Sequence, residues 1–437
     1  MDMLKDRVRS VYFKLLTMAI GGAFAGCIFG LIDAMVVGKY HGPAGTATLA
    51  VVGPMLSVLY GMGFLTGIGG SVWFSNLRGK EENRQADSYF TVAVILSVAF
   101  SAVALVLMHF CGESVLRLFG AEEEILALGK LYLKGVFWAL PCCTITNLLA
   151  AFIRNDGNPL LVTVSVVTGG VLNLVGDLIF VYGLDLGIYG AGLATALSLF
   201  TITFIMLCHF ISKKNTLRLV KPDNFWRKSC RIAVSGFPTA LNDIAIGVMG
   251  ILFNRQIMRY LNADALAVFG VVNQITVFVQ CCAYSAGQAA QPVLSRNLGA
   301  GKPERIRQCL RCGLYTGCVF GILWTILSLL IPNAFVRFFM APTDAVLAIA
   351  PKIIGTYGLS YTLLALNVFI TYYFQAILRP AAATAVSLGR GVLVSGAVVL
   401  ILPALFGADA IWLTMLVTDF IVGIFTVVTT VTYTRKL

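Results

Sequence analysis

Apolar residues fall in blocks of about 20 to 30 positions, separated by short polar or basic breaks, along nearly the whole 437-residue chain. A helix rises 1.5 Å per residue, so about 20 apolar residues cross the ~30 Å hydrocarbon core of a bilayer. The blocks predict spanning helices at 12–38, 48–78, 88–110, 126–151, 159–183, 187–211, 231–258, 264–296, 309–331, 345–377, 381–405 and 409–433. The ten-residue alternation of an outer-membrane barrel is absent. The expected fold class is an all-α membrane protein of twelve transmembrane helices.

Composition supports the bilayer. The chain is 58% hydrophobic and 12% charged, about half the charge of a soluble domain, with a mean hydropathy of +0.87. So few charges do not cover a water-facing surface. A net charge of +12 would suit nucleic acid if it were clustered, but the basic residues are scattered between apolar blocks.

Their positions also test the helix count. With the N-terminus and alternate loops on one side, 23 of the 32 Lys and Arg fall there and five (Lys39, Arg117, Arg255, Arg259, Arg337) fall opposite. The other four, Lys130, Lys134, Lys352 and Arg390, lie within spans. One helix more or fewer scrambles this split, so both termini are expected to be cytoplasmic in the plasma (inner) membrane. The first apolar stretch is long and continuous, unlike a cleavable signal peptide. The cysteines show no metal-ligand spacing, and the pairs Cys142-Cys143 and Cys281-Cys282 read as packing residues with free thiols.

The longest connection, 212–230, is polar, basic and near the middle. It reads as a cytoplasmic linker between an N-lobe at 1–211 and a C-lobe at 231–437. An internal repeat agrees. LAVVG at 49–53 matches LAVFG at 266–270, Gly67 and Ser75 match Gly287 and Ser295, and Gly79-Lys80 matches Gly301-Lys302, at offsets of 217, 220 and 222. Six helices per half make the copies parallel. Two pseudo-symmetric six-helix lobes around a central cleft, the geometry of alternating access, are expected.

Such a frame points to a transporter ahead of a channel, receptor or enzyme. HExxH, GxSxG and the Walker lysine motif are absent, and the three histidines sit near span ends. Catalytic residues are therefore not expected. Charges deep in a span cost about 2.5–3.5 kcal/mol on insertion scales and mark function by default. Asp33 lies in the first helix, Asp177 in the fifth with Asn173 four residues before it on the same face, and Thr195 in the sixth. Two carboxylates, an amide and a hydroxyl offer oxygen ligands for Na⁺ or a carboxyl that carries a proton. Pairing of each aspartate with backbone donors is the plainer alternative. The repeat puts Gly250 and Val398 opposite the two aspartates, and that confinement to one half favours a specialised site. Asp243 is the deep acid of the second half. Asn273, Gln274, Gln288, Tyr361, Asn367 and Asp419 are further polar candidates, better read as interhelical hydrogen bonders.

These pieces together resemble the multidrug and toxic compound extrusion (MATE) family. The resemblance rests on D-x-x-V-V-G from Asp33, LAVVGP, the glycine-rich run Gly67 to Gly79, FIRNDGNP, NLVGDLIFVYGLDLGIYGAGLAT and SRNLGAGKPE. It implies exchange of H⁺ or Na⁺ for amphipathic, often cationic drugs, without a cofactor. It also implies a coupling site at Asp33, Asn173, Asp177 and Thr195, with Tyr132 and Asn147 as substrate-pocket positions. Asp243, read from the residues alone, is a candidate second coupling or substrate-cation site, with an ion pair or hydrogen bond to another helix as the alternative. Two departures stand out: Met18 occupies the place of a family proline on helix one, and Ile246 that of a helix-seven glutamate. The expected function is multidrug efflux by a monomeric antiporter, with a small-molecule substrate, the bilayer as surroundings and no nucleic-acid partner. The runner-up is a flippase for lipid-linked saccharides, whose cleft should be strongly cationic.

Overall fold

The computed structural model describes residues 2–340 and 342–435, with all of their side chains except those of residues 243 and 244. The chain is 89% helical, and no strand occurs among the described residues.

Helices follow the apolar blocks. Val8–Gly79 is helical throughout except at Gly42, where φ +62° and ψ −145° break the path. Glycine adopts that conformation at low cost because it has no Cβ. The stretch therefore holds two spans, α1 (8–41) and α2 (43–79). There follow α3 (Asn83–Leu118), α4 (Glu123–Asn155), α5 (Pro159–Gly183), α6 (Gly187–Ile211), α7 (Phe225–Tyr260) and α8 (Ala263–Gly299). Then come α9 (Pro303–Leu330), α10 (Asp344–Ala376), α11 (Pro380–Phe406) and α12 (Ala408–Arg435). Most run beyond their apolar blocks, since the first and last turns can be polar where they leave the hydrocarbon. A short helix, Pro332–Phe339, precedes α10 and was not expected. Eight residues with one buried stripe give too little periodicity to stand out beside spans.

Contacts divide the chain into two compact units, Thr17–Ile244 and Asp2–Leu16 with Ala245–Leu437. Relative to the expected halves, residues 2–16 pack in the second unit and 231–244 in the first. The N-terminal segment is held by backbone acceptors: Asn297 Nδ2 and Arg305 donate to the Met3 carbonyl at 3.1 and 3.0 Å. In the first unit, α2 and α7 cross so closely that a Cβ on Gly69 would overlap the Ile232 carbonyl, and one on Gly236 the Leu65 carbonyl. α4 and α6 cross in the same way at Gly135 and Gly192. In the second unit, Gly287 admits the Tyr372 ring and Gly313 the Phe369 ring. Small residues at crossings let membrane helices pack without a hydrophobic drive. Cys142, Cys143 and Cys282 are buried free thiols, whereas Cys281 departs from expectation by being disulfide-bonded.

The linker is strapped to the first unit. Asp156, in the turn after α4, accepts from the Thr216 N–H and from His209 Nε2, both at 2.8 Å. Arg78 donates to the Thr216 carbonyl at 2.7 Å, and Leu217 is buried among Phe74, Phe90 and Phe152. Nearer α7, the Lys228 ammonium beside Asp223 holds that carboxyl down at about 2.

The two units repeat their turns bond for bond. After α2, the N–H groups of Lys80, Glu81 and Glu82 reach the carbonyls of Asn76, Arg78 and Leu77. After α8, those of Ala300, Gly301 and Lys302 reach Arg296, Leu298 and Asn297. The offset is 220, so Gly79 corresponds to Gly299, and the sequence match of Gly79-Lys80 to Gly301-Lys302 was two residues out of register. Glu81 and Gly301 share a positive φ, 65° and 63°. A second pair of turns, after α4 and within the α10–α11 connection, matches at 221: Gly157 and Leu378 have φ 84° and 58°.

Replacing Gly192 by Ala is expected to destabilise the protein by about 1–3 kcal/mol through overpacking. Gly250→Ala has no atom within 4 Å of the new Cβ and should leave stability unchanged or raised by up to about 1 kcal/mol. Thermal unfolding in detergent compares them; equal melting would contradict the close crossing. Asp156→Ala should speed tryptic cleavage within 213–221, and an unchanged rate would mean the strap holds without it.

Candidate functional site

Close approach of α1 to α5 builds the site. Gly21 and Gly22 lie against Thr163, whose hydroxyl donates to the Met18 carbonyl at 2.7 Å. Two turns further along α5, Gly170 leaves room for the Phe29 ring, which a Cβ would overlap. On the other side, the Gly135–Gly192 crossing brings the Tyr132 hydroxyl to 3.1 Å from Thr195 Oγ1. Between these contacts lies a cavity of about 300 Å³, within the first unit. Asp33, Asn173, Thr195 and Tyr132 line it, with Gly26, Gly30 and Leu56 among the apolar wall.

Asp177 stands behind this wall. Its N–H bonds to the Asn173 carbonyl, so the two share a face, and α5 widens into a π-helix over Asp177–Gly183. Such wide turns recur at functional sites. The side chain is fully buried, and its carboxyl lies directly against that of Asp33. The two carboxyls are within hydrogen-bond reach of each other, and among the described residues no other group donates to either oxygen of Asp177 or to Oδ1 of Asp33. Backbone pairing, the plainer reading of these aspartates, is therefore not what Asp177 does. Two ionised carboxylates held side by side without donors repel each other and are poorly solvated, so a cation or proton placed between them is favoured.

Asn147 does not join this group: its Nδ2 donates to the Cys143 carbonyl of its own helix at 3.1 Å, and it packs on Gly63 and Gly67. Asp243 lies outside the described side chains. In the second unit, Asn367 Nδ2 and Arg390 Nε both donate to Asp419 Oδ1, at 3.1 and 2.8 Å, and Tyr361 pairs with Thr276. Three helices are tied there by ordinary hydrogen bonds and one ion pair. The sequence reading missed Tyr60 and Ser198, which also line the cavity. Ser198 follows Thr195 by three residues, a spacing that shares its face. Tyr60 sits in an unbroken apolar run on α2 that carries no such signal.

The chain matches the MatE family over residues 19–179 and 238–401, about three quarters of its length. It belongs to that family. MatE proteins are transporters rather than enzymes. The multidrug export protein MepA of Staphylococcus saprophyticus is 23% identical over 402 residues, spanning 91% of this chain and 88% of that one. MepA of Staphylococcus aureus gives the same values. Among solved structures, an outward-facing multidrug resistance MATE transporter superposes with a TM-score of 0.92 at 17% identity, covering 100% and 98% of the two chains. A mutant of the Vibrio cholerae MATE transporter VcmN gives 0.90 at 18%, covering 98% of each. This MatE chain is thus a multi-pass membrane protein with the MATE fold.

If the Asp177 carboxylate were a structural acceptor, its loss would destabilise. The unpartnered geometry predicts instead that purified Asp177→Asn melts at the wild-type temperature or above. A fall of several degrees would contradict it.

Proposed function

We propose that this MatE transporter exports small amphipathic organic cations in exchange for protons, with Asp33 and Asp177 carrying the exchanged charge. The observation behind the proposal is the meeting of buried Asp177 with half-buried Asp33, where no other described group donates to either oxygen of Asp177 or to Oδ1 of Asp33, beside a cavity with largely apolar walls. Apolar walls take the body of an amphipathic compound, and a carboxylate attracts its positive group. The MepA relatives carry multidrug export in their names.

In this reading the outward-facing form accepts a proton at the pair, loses its attraction for the organic cation and releases it outside. The emptied carrier turns inward, gives the proton to the cytoplasm and binds the next cation. Binding shifts the equilibrium only through affinities that differ between states. One-for-one exchange conserves charge. A tenfold proton gradient, about 1.4 kcal/mol, then sustains up to a tenfold substrate gradient. The lobes 1–211 and 231–437 act as the alternating bodies of a monomer, with both termini cytoplasmic, as the basic residues favour. No cofactor takes part.

Na⁺ is the second reading, because Asp33, Asp177, Asn173 and Thr195 together supply oxygen ligands. Two features favour the proton: the carboxyls are within hydrogen-bond reach of each other, and the Thr195 hydroxyl is engaged by Tyr132. A saccharide-lipid flippase needs cationic groups for a pyrophosphate, and the lining of this cavity holds neither Lys nor Arg. The fluorescence of an organic cation in inside-out vesicles tests the proposal. Wild type should respond to an imposed H⁺ gradient, and Asp33→Asn should respond at least tenfold more slowly. A response to a Na⁺ gradient alone would shift the coupling ion. Wild-type rates in Asp33→Asn would remove Asp33 from the mechanism.

A further inference from the structure

The second unit carries a groove of about 510 Å³ between α9 and α12, floored by α10. Its walls are apolar: Leu314 and Leu366 on one side, Ile424, Val427 and Val428 on the other. The α12 residues are 56–62% exposed, which in this protein means exposed to lipid. Toward the basic end of the bundle, two features break the hydrocarbon character. Thr430 lines the groove, and its Oγ1 is buried with no hydrogen-bond partner. Beyond it the mouth is flanked by two exposed arginines: Arg311 lies three residues before Leu314 on α9, and Arg435 four residues after the lining Val431 on α12. Neighbouring arginines are engaged, Arg307 with Glu304 and Arg379 over the Tyr433 ring. Among the described residues Arg311 and Arg435 have no ion-pair partner.

Read from the middle of the bilayer outward, the surface offers a hydrocarbon slot, then a hydroxyl, then two exposed positive charges. We propose that this groove is a binding site for one anionic phospholipid of the leaflet at the basic end. One acyl chain fills the slot, an ester carbonyl accepts from Thr430, and the phosphate lies between Arg311 and Arg435. The length of the groove sets the order of these contacts, because each arginine stands about one helical turn, roughly 5.4 Å, beyond the last lining residue. Basic pockets between membrane helices select anionic headgroups in this way. Gly423, in the α12 wall, leaves room for the chain: a Cβ there would come no nearer than 3.9 Å to another atom.

Native mass spectrometry of the purified full-length protein, titrated with phosphatidylglycerol or phosphatidylcholine of the same chains, tests the site. Wild type should retain phosphatidylglycerol more tightly than phosphatidylcholine. Each of Arg311→Gln and Arg435→Gln should weaken that retention roughly fivefold, and Gly423→Leu should reduce it by filling the slot. Arg311→Lys with Arg435→Lys should restore most of the selectivity, and soluble glycerophosphate should not compete. Each variant is first checked for the wild-type melting temperature without lipid, and a variant that melts lower is replaced by its Ala counterpart. Equal retention of the two lipids, or undiminished phosphatidylglycerol binding in the double Gln variant, would overturn the proposal.

Discussion

A charge taken out of water needs a partner, and the mechanism proposed for this protein turns on a place where no partner is found among the described residues. Other buried charges among the described residues are paired: Arg78 with Asp87 at 2.7 Å, Arg390 with Asp419 at 2.8 Å, and Lys228 with Asp223 at 2.6 Å. At Asp33 and Asp177 two carboxyls meet, and no other described group donates to either oxygen of Asp177 or to Oδ1 of Asp33. Uncompensated buried charge is costly, and here it persists in a wall-to-wall packed bundle. In the proposed reading, a cation that comes and goes, rather than a fixed partner, accounts for that exception.

Packing puts the pair where it is. Glycines at crossings set how closely α1, α4, α5 and α6 approach, and hence the width of the cavity. Gly170 admits Phe29, and Gly192 lets the α6 backbone touch Tyr132, which aligns its hydroxyl on Thr195. The π-helix that begins at Asp177 relaxes α5 at the carboxyl itself. Helix one has no proline before Pro43, and its φ and ψ stay helical up to Gly42. The Thr163 hydroxyl on the Met18 carbonyl marks the place where the family proline is missing.

Much of this was legible in the residues. Span length and the skew of Lys and Arg announced twelve helices, because the bilayer forces both patterns. Deep acids stood out for the same reason, so Asp33 and Asp177, whose carboxyls the fold brings together, were legible as a pair worth testing. Other features left no such trace. The grouping of residues 2–16 with the second unit combines backbone acceptors at Met3 and Asp6, which any sequence would present, with buried Val8, Val11 and Tyr12, which read only as the start of a span. Tyr60 is one aromatic in an apolar run, and Asn147 has the polarity of a site residue but spends its amide on its own helix. The two-residue slip at Gly79 arose because a positive φ, not the glycine letter, is what the repeat preserves: Glu81 holds it in one unit and Gly301 in the other.

The most direct test is to count protons. Purified protein in weakly buffered detergent is mixed with a saturating organic cation, and the released protons are read with a pH indicator. The account predicts about one proton released per cation bound by wild type, and none by Asp177→Asn. Tight binding by wild type with no proton release would contradict it.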